Sequence, residues 1–258
     1  MLTACAGTEK DAEGSAPAEH AKTLVIGYES YPPSCYLDED GKPAGIDMDI
    51  ATEALSRMGY RPVFKSISWI DKDKLLASGD IDCVWGCFSM NGREDDYTWA
   101  GPYMKSDEVV AVAEGSSINA FADLAGKTVA VQATTEPETV FLDGDDLDLS
   151  AVANVYSLKD ASMLYPSLSR GYVDAIAAHR LAIERYMSDN GVSYRILSEP
   201  LLESDLGVAF LKGTSSPVPA KLTRVLKQMV RDGSVQKILA RYVDNPKLYM
   251  LGVGDGDR

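Results

Sequence analysis

The chain has 258 residues, 45% apolar and 25% charged, with a formal net charge of −14 at pH 7. That composition is globular and allows one large domain or two of about 100 residues, while its acidity excludes nucleic acid and anionic membrane surfaces as partners, because phosphate binding needs clustered Lys and Arg. It has no run of 18 apolar residues, only the histidines His20 and His179, and four scattered cysteines, so neither a membrane-spanning helix nor a metal or cofactor is expected.

In chain order, the first signal is "LTAC", residues 2–5, the pattern at which bacterial lipoprotein precursors are cut and the cysteine, here Cys5, is acylated. The polar, small-residue stretch "AGTEKDAEGSAPAEHAK" follows, with the composition of a flexible tether over residues 1–21. The charged and apolar segments of an export signal do not precede it, so a leader outside this chain is expected. "TLVIGYE" then predicts a strand. "GIDMDIATEALSRMGY" predicts a helix capped by Asp47, with Ile50, Ala54, Leu55 and Met58 on one face and Gly59 as the stop.

Next come the strand "RPVFKSI", the short helix "DKDKLLASG" and the strand "IDCVWG". The alternation continues through "KTVAVQ", helical "EPETVFLD", "ANVYSL", the helix "DASMLYPSLSRG" with a kink at Pro166, and "YVDAIAA". "LAIERYMSDNG", "SYRIL", "LGVAFLK" and two closing helices complete the chain. Such alternation implies an α/β fold of mostly parallel sheets flanked by helices. Two sets are visible, split near Asp107, and "LGVAFLK" has no set of its own unless it returns to the first. The expected division is therefore a discontinuous first lobe, 22–106 plus 204–249, a second lobe, 107–203, and a tail, 250–258.

In open α/β sheets ligands bind beyond the carboxyl ends of the strands. The first set offers Glu29 and Tyr31, then Trp69, then Gly86, Cys87, Ser89 and Arg93; the second offers Gln132, Thr134 and Thr135 ahead of a helix N-terminus, and His179. Hydroxyls and a cation suit an anion, and aromatic faces suit something flat or aliphatic. A guanidinium matches a carboxylate with two parallel hydrogen bonds, so Arg93 is the expected clamp for a carboxylate-bearing small molecule. Its alternative is a surface ion pair with Glu94, Asp95 or Asp96. Tyr31 and Trp69 are expected as walls of a cleft, with burial in the core as the alternative.

These residues lie in the segments "IGYESYPPS…DGKPAGIDMDIA", "SGDIDCVWGCFSMNGRE", "DLAGKTVAVQATTE", "RGYVDAIAAH" and "RDGSVQKILARY". Together the segments resemble the extracellular solute-binding proteins of the polar amino-acid type, the receptors of ABC importers. The resemblance runs from about Lys22 to Tyr249. It implies a two-lobe fold of periplasmic-binding-protein type II, no enzymatic activity, a membrane permease as partner, and a monomer at the outer face of the cell membrane or in the periplasm. Arg93 then clamps the ligand's α-carboxylate with Ser89 and Thr134 or Thr135. Tyr31 and Trp69 sandwich its side chain, Gly86 and Cys87 present main-chain groups, and Glu29 reaches it from the first loop.

Three departures stand out. The Ser89-to-Arg93 spacing is one residue short, and "VQATT" lacks the usual glycine. His179 also stands where many members carry an acid for the α-ammonium, which leaves Glu29, an aromatic face or nothing as the cation's partner. A dehydratase-like enzyme with His179 as proton-transfer group, or a sensor domain, are the alternatives. If the first and third strands are neighbours, as in the family, Cys35 and Cys87 lie close enough at the cleft mouth for a disulfide, with free, partly buried thiols as the alternative. Cys83 faces the same way only if its strand is regular to the end.

Overall fold

The computed structural model describes residues 22–143, 149 and 151–252. Cys5, the tether over 1–21 and most of the tail lie outside the described residues.

In order the elements are β1 (Lys22–Tyr28), β2 (Tyr36–Leu37), β3 (Pro43–Ala44), α1 (Ile46–Arg57), β4 (Tyr60–Ser66), α2 (Lys72–Ser78), β5 (Cys83–Ser89), β6 (Thr98–Ala113), β7 (Thr128–Gln132), α3 (Glu136–Asp143), β8 (Asn154–Leu158), α4 (Leu164–Ser169), β9 (Ala175–His179), α5 (Arg180–Asn190), β10 (Tyr194–Ile196), β11 (Leu202–Phe210), α6 (Val218–Arg231) and α7 (Ser234–Leu239). The main sheet runs β4-β1-β5-β11-β6-β9-β7-β8, with β10 on β6. Its two flanks are parallel, β1 with β4 and β5, and β7 with β8 and β9. The middle is antiparallel, β11 lying between β5 and β6, and β6 meeting β9. "LGVAFLK" does return to the first set, as β11.

The apolar clusters divide the same way. One large cluster joins Leu24, Ile26, Leu55, Trp85 and Met104 to Leu206, Leu222 and Leu226. In α6 the buried Val218, Leu222, Leu226 and Met229 recur at helical spacing, which lays one face of the helix on that cluster. Two others draw on opposite faces of β6, Val110 and Val112 on one and Val109 and Ala111 on the other, because successive strand residues point to opposite sides. β6 therefore serves both halves, pairing with β11 up to Glu108 and with β9 from Glu108 onward.

Three local expectations are corrected. Asp47 does not cap α1. Gly45 occupies the N-cap at φ 122° with no side-chain cap bond, and a Cβ there would lie 2.3 Å from the Ser34 carbonyl oxygen, so only glycine fits. Pro166 does not kink a long helix, because the segment is a 3₁₀ turn, Ala161–Met163, followed by α4. Pro166 falls in the first turn of α4, where its missing N–H has no intrahelical acceptor to lose. Finally, β6 is a 16-residue strand that the periodicity did not reveal.

Candidate functional site

The wall from the first half is built at the ends of β1 and β5. β5 is buried along its whole length and loses register with β11 between Gly207 and Ala209. There Cys87 takes a left-handed conformation, φ 51°. Asp47, 1% exposed, holds this bend. Its Oδ2 accepts the Cys87 N–H at 2.6 Å and its Oδ1 accepts the Tyr103 hydroxyl at 2.7 Å. Burial lifts its carboxyl from the ordinary 3.8 to about 6, against the pull of both hydrogen bonds.

The cysteines are separate buried thiols. Cys35 Sγ donates to the Trp85 carbonyl at 3.6 Å, and Cys35, Cys83 and Cys87 are all free, so the Cys35–Cys87 disulfide is not formed. Burial pushes all three thiols well up, which keeps them protonated.

Arg93 lies in the crevice between the halves, not on the surface beside Glu94, Asp95 and Asp96. Its Nε is 3.0 Å from Glu136 Oε1, the two side chains being 13% and 11% exposed. Its Nη2 donates to the Thr134 carbonyl at 3.3 Å, and its guanidinium sits 5.5 Å from the Phe88 ring centroid. Ser89 donates to Ser204 at 2.9 Å, and Ser204 donates to Glu108 Oε1 at 2.8 Å. Trp69 is both wall and core. It is buried, packs edge-on against Phe88 at 4.8 Å, and donates from Nε1 to the Thr134 carbonyl at 3.4 Å.

The facing wall comes from the ends of β7 and β9. Thr134 adopts φ 60° in the loop without a glycine. Its Oγ1 accepts from Lys72 Nζ at 3.0 Å, while Thr135 Oγ1 turns back onto the Gln132 carbonyl at 2.7 Å. Gln132 donates to Glu29 across the crevice, and Glu29 also accepts the Trp69 N–H at 3.4 Å. Burial still raises the Glu29 carboxyl, outweighing both bonds. His179 Nε2 is 3.1 Å from the Cys87 carbonyl. A carbonyl only accepts, so a proton is assigned to Nε2, and the buried Nδ1 has no hydrogen-bond partner. The His179 main-chain N–H donates to the Tyr31 hydroxyl at 3.3 Å.

Glu29, Tyr31, Trp69, Gly86, Cys87, Ser89, Arg93, Gln132, Thr135 and His179 line a single cavity. Thr134 is not among its lining residues and instead ties the two halves together. The cavity also includes residues the sequence did not single out: Phe88, Glu108, Glu136, Pro137, Leu164, Ala177 and Ala178. Glu108 stands opposite His179 in the β6–β9 ladder, 2% exposed, its Oε1 3.7 Å from His179 Nε2. It is an acid lining the cavity beside position 179. Its signal was an acid opening the apolar run "VVAVA". Glu136 gave only the ordinary signal of an acid in a helix's first turn. A guanidinium, hydroxyls, aromatic rings and acids around one cavity suit a small zwitterion or cation.

The sequence matches the bacterial extracellular solute-binding proteins, family 3, over residues 24–245. The L-cystine-binding protein TcyA of Bacillus subtilis (strain 168) is 28% identical over 237 residues, which cover 90% of this chain and 85% of TcyA. TcyJ of Escherichia coli (strain K12), also an L-cystine-binding protein, is 27% identical over 227 residues, covering 85% and 82%. Among solved structures, Tv2483 bound to L-arginine superposes with a TM-score of 0.80 at 28% identity, covering 90% of this chain and 95% of that one. That family binds solutes without turning them over, so the dehydratase-like alternative for His179 is set aside. The chain belongs to the bacterial extracellular solute-binding proteins, family 3.

Proposed function

We propose that this chain is the monomeric receptor of an amino-acid ABC importer, held outside the cell by a lipid on Cys5, and that lobes 22–106 with 204–249 and 107–203 close on a carboxylate-bearing amino acid. The observation that carries this is Arg93, shielded inside the crevice rather than turned to solvent. Arg93 takes the α-carboxylate with help from Ser89 and Thr135, and Tyr31 and Trp69 flank the side chain. Gly86 and Cys87 offer main-chain groups beside it, and Gln132 with Glu29 closes the far end. Glu108, with the free Nδ1 of His179, receives the α-ammonium. Relatives whose names record L-cystine and L-arginine support an amino-acid ligand.

Micromolar binding requires about −8 kcal/mol. For a ligand of about ten heavy atoms that is within the ceiling of roughly 1.5 kcal/mol per atom only if nearly every group is contacted. An enclosing cleft provides this, and its closure is the signal a permease can sense. A thermal-shift panel of L-arginine, L-lysine, L-histidine, L-cystine and L-glutamine tests the assignment. At about 100 times Kd a true ligand adds about 2.7 kcal/mol of stability. A panel without any shift would refute an amino-acid receptor.

A further inference from the structure

A site meant to grip a carboxylate here holds one already. The Nε of Arg93 is 3.0 Å from Glu136 Oε1, and its Nη2 donates to the Thr134 carbonyl. The Nε–Nη2 edge of the fork, one of the two edges that can bind a carboxylate through parallel bonds, is therefore occupied. Glu136 and Arg93 line the same cavity, to which Glu29 and Glu108 bring two more acids, so three carboxylates and one guanidinium line it.

We propose that Glu136 determines which solutes this cleft prefers: as a tethered carboxylate it competes with the solute for Arg93, and once displaced it is paired by a second cationic group on the solute. This rests on the receptor function proposed above and goes beyond it by naming the substrate class, amino acids with a cationic group besides the α-ammonium. A neutral amino acid that takes Arg93 leaves Glu136 as a shielded acid without its cation, an unfavourable state for a buried charge. A cationic amino acid restores a partner. Burial already raises the Glu136 carboxyl despite Arg93, with Glu108, Glu94 and Asp96 adding to the rise, so removing the guanidinium from it is costly.

The test is calorimetric titration of the full chain at pH 7 with L-arginine, L-lysine and L-glutamine, for the wild type, Glu136→Gln and Glu136→Ala, with melting curves to confirm folding. The wild type is expected to bind the cationic solutes at least about tenfold more tightly than L-glutamine, the scale of one charge-assisted hydrogen bond. In both variants that ratio is expected to fall by about tenfold, chiefly through tighter L-glutamine binding. An unchanged ratio, or a wild type that prefers L-glutamine, overturns the assignment of Glu136 and leaves the receptor function standing. Binding of none of the three while L-histidine or L-cystine binds also overturns it. No binding of any amino acid overturns both.

Discussion

Cys87 and Thr134 belong to opposite halves of the molecule, and both are non-glycine residues in left-handed backbone, φ 51° and φ 60°. Each conformation costs roughly 1–2 kcal/mol and persists only where its surroundings hold it. The two are held differently. Cys87 is braced chiefly within its own half, its N–H on the buried carboxylate of Asp47, which Tyr103 also grips, while its carbonyl meets His179 Nε2 of the other half. Thr134 is tied to the opposite half through Lys72, Trp69 and Arg93, with Glu138 of the following α3 on its N–H. One wall is thus part of a core, while the other is secured chiefly by closure. That asymmetry suits a cleft that must keep a fixed binding surface and still open.

The sharpest way to break the contrast is to remove the brace. Asp47→Ala leaves the Cys87 N–H and the Tyr103 hydroxyl without acceptors and is expected to cost about 3 kcal/mol at pH 5, where the native carboxyl is mostly neutral. Denaturant unfolding measures it, and unchanged stability would show that the bend at Cys87 holds itself. The same group gives a pH signature. With a folded pKa of about 6 against about 3.9 unfolded, the native state binds the extra proton between these values, so this contribution to stability declines as pH rises from 4 to 7. The difference between wild-type and Asp47→Asn profiles should span about 3 kcal/mol in that window, and parallel profiles would contradict it.

Removing the latch should act on closure instead. Lys72 is a cation with only 3% of its side chain exposed, 3.5 Å from Asp73 and bonded to Thr134, and burial lowers its pKa. Lys72→Met is expected to change stability by no more than about 1 kcal/mol, because an apolar isostere needs no desolvation. Amino-acid affinity should nevertheless fall by roughly one hydrogen bond's worth, about fivefold. A large loss of stability with unchanged affinity would make Lys72 a core residue rather than a latch. The smallest effect is expected of Thr134→Gly made in the Lys72→Met background, where no buried ammonium loses its acceptor and relief of the left-handed strain offsets the freer unfolded chain to within about 1 kcal/mol.

Much of the fold was legible because its strands and helices carry clean periods. "EPETVFLD" is α3 residue for residue, and "LGVAFLK" belonged to the first set for want of any other. β6 escaped because "TWAGPYMKSDEVVAVA" carries Gly101, Pro102 and three charged residues, and because its apolar residues face three different cores. Missing that strand hid Glu108, which lies where β6 passes from one half to the other. Arg93 was legible from its place at a strand end, a rule of topology rather than of pattern. Asp47, Lys72 and Glu136 were not, because acids and lysines near helix starts are ordinarily solvated, and only tertiary packing turns these inward.

The central claim is that Arg93 grips the solute's carboxylate inside the crevice. Its most direct test is calorimetric titration of the amino acid that most stabilises the wild type against Arg93→Ala, made alone and together with Glu136→Gln so that no shielded acid is left without its cation. Both variants should lose at least about 2 kcal/mol of binding free energy, roughly thirtyfold in Kd. Wild-type affinity in the double variant would contradict the claim.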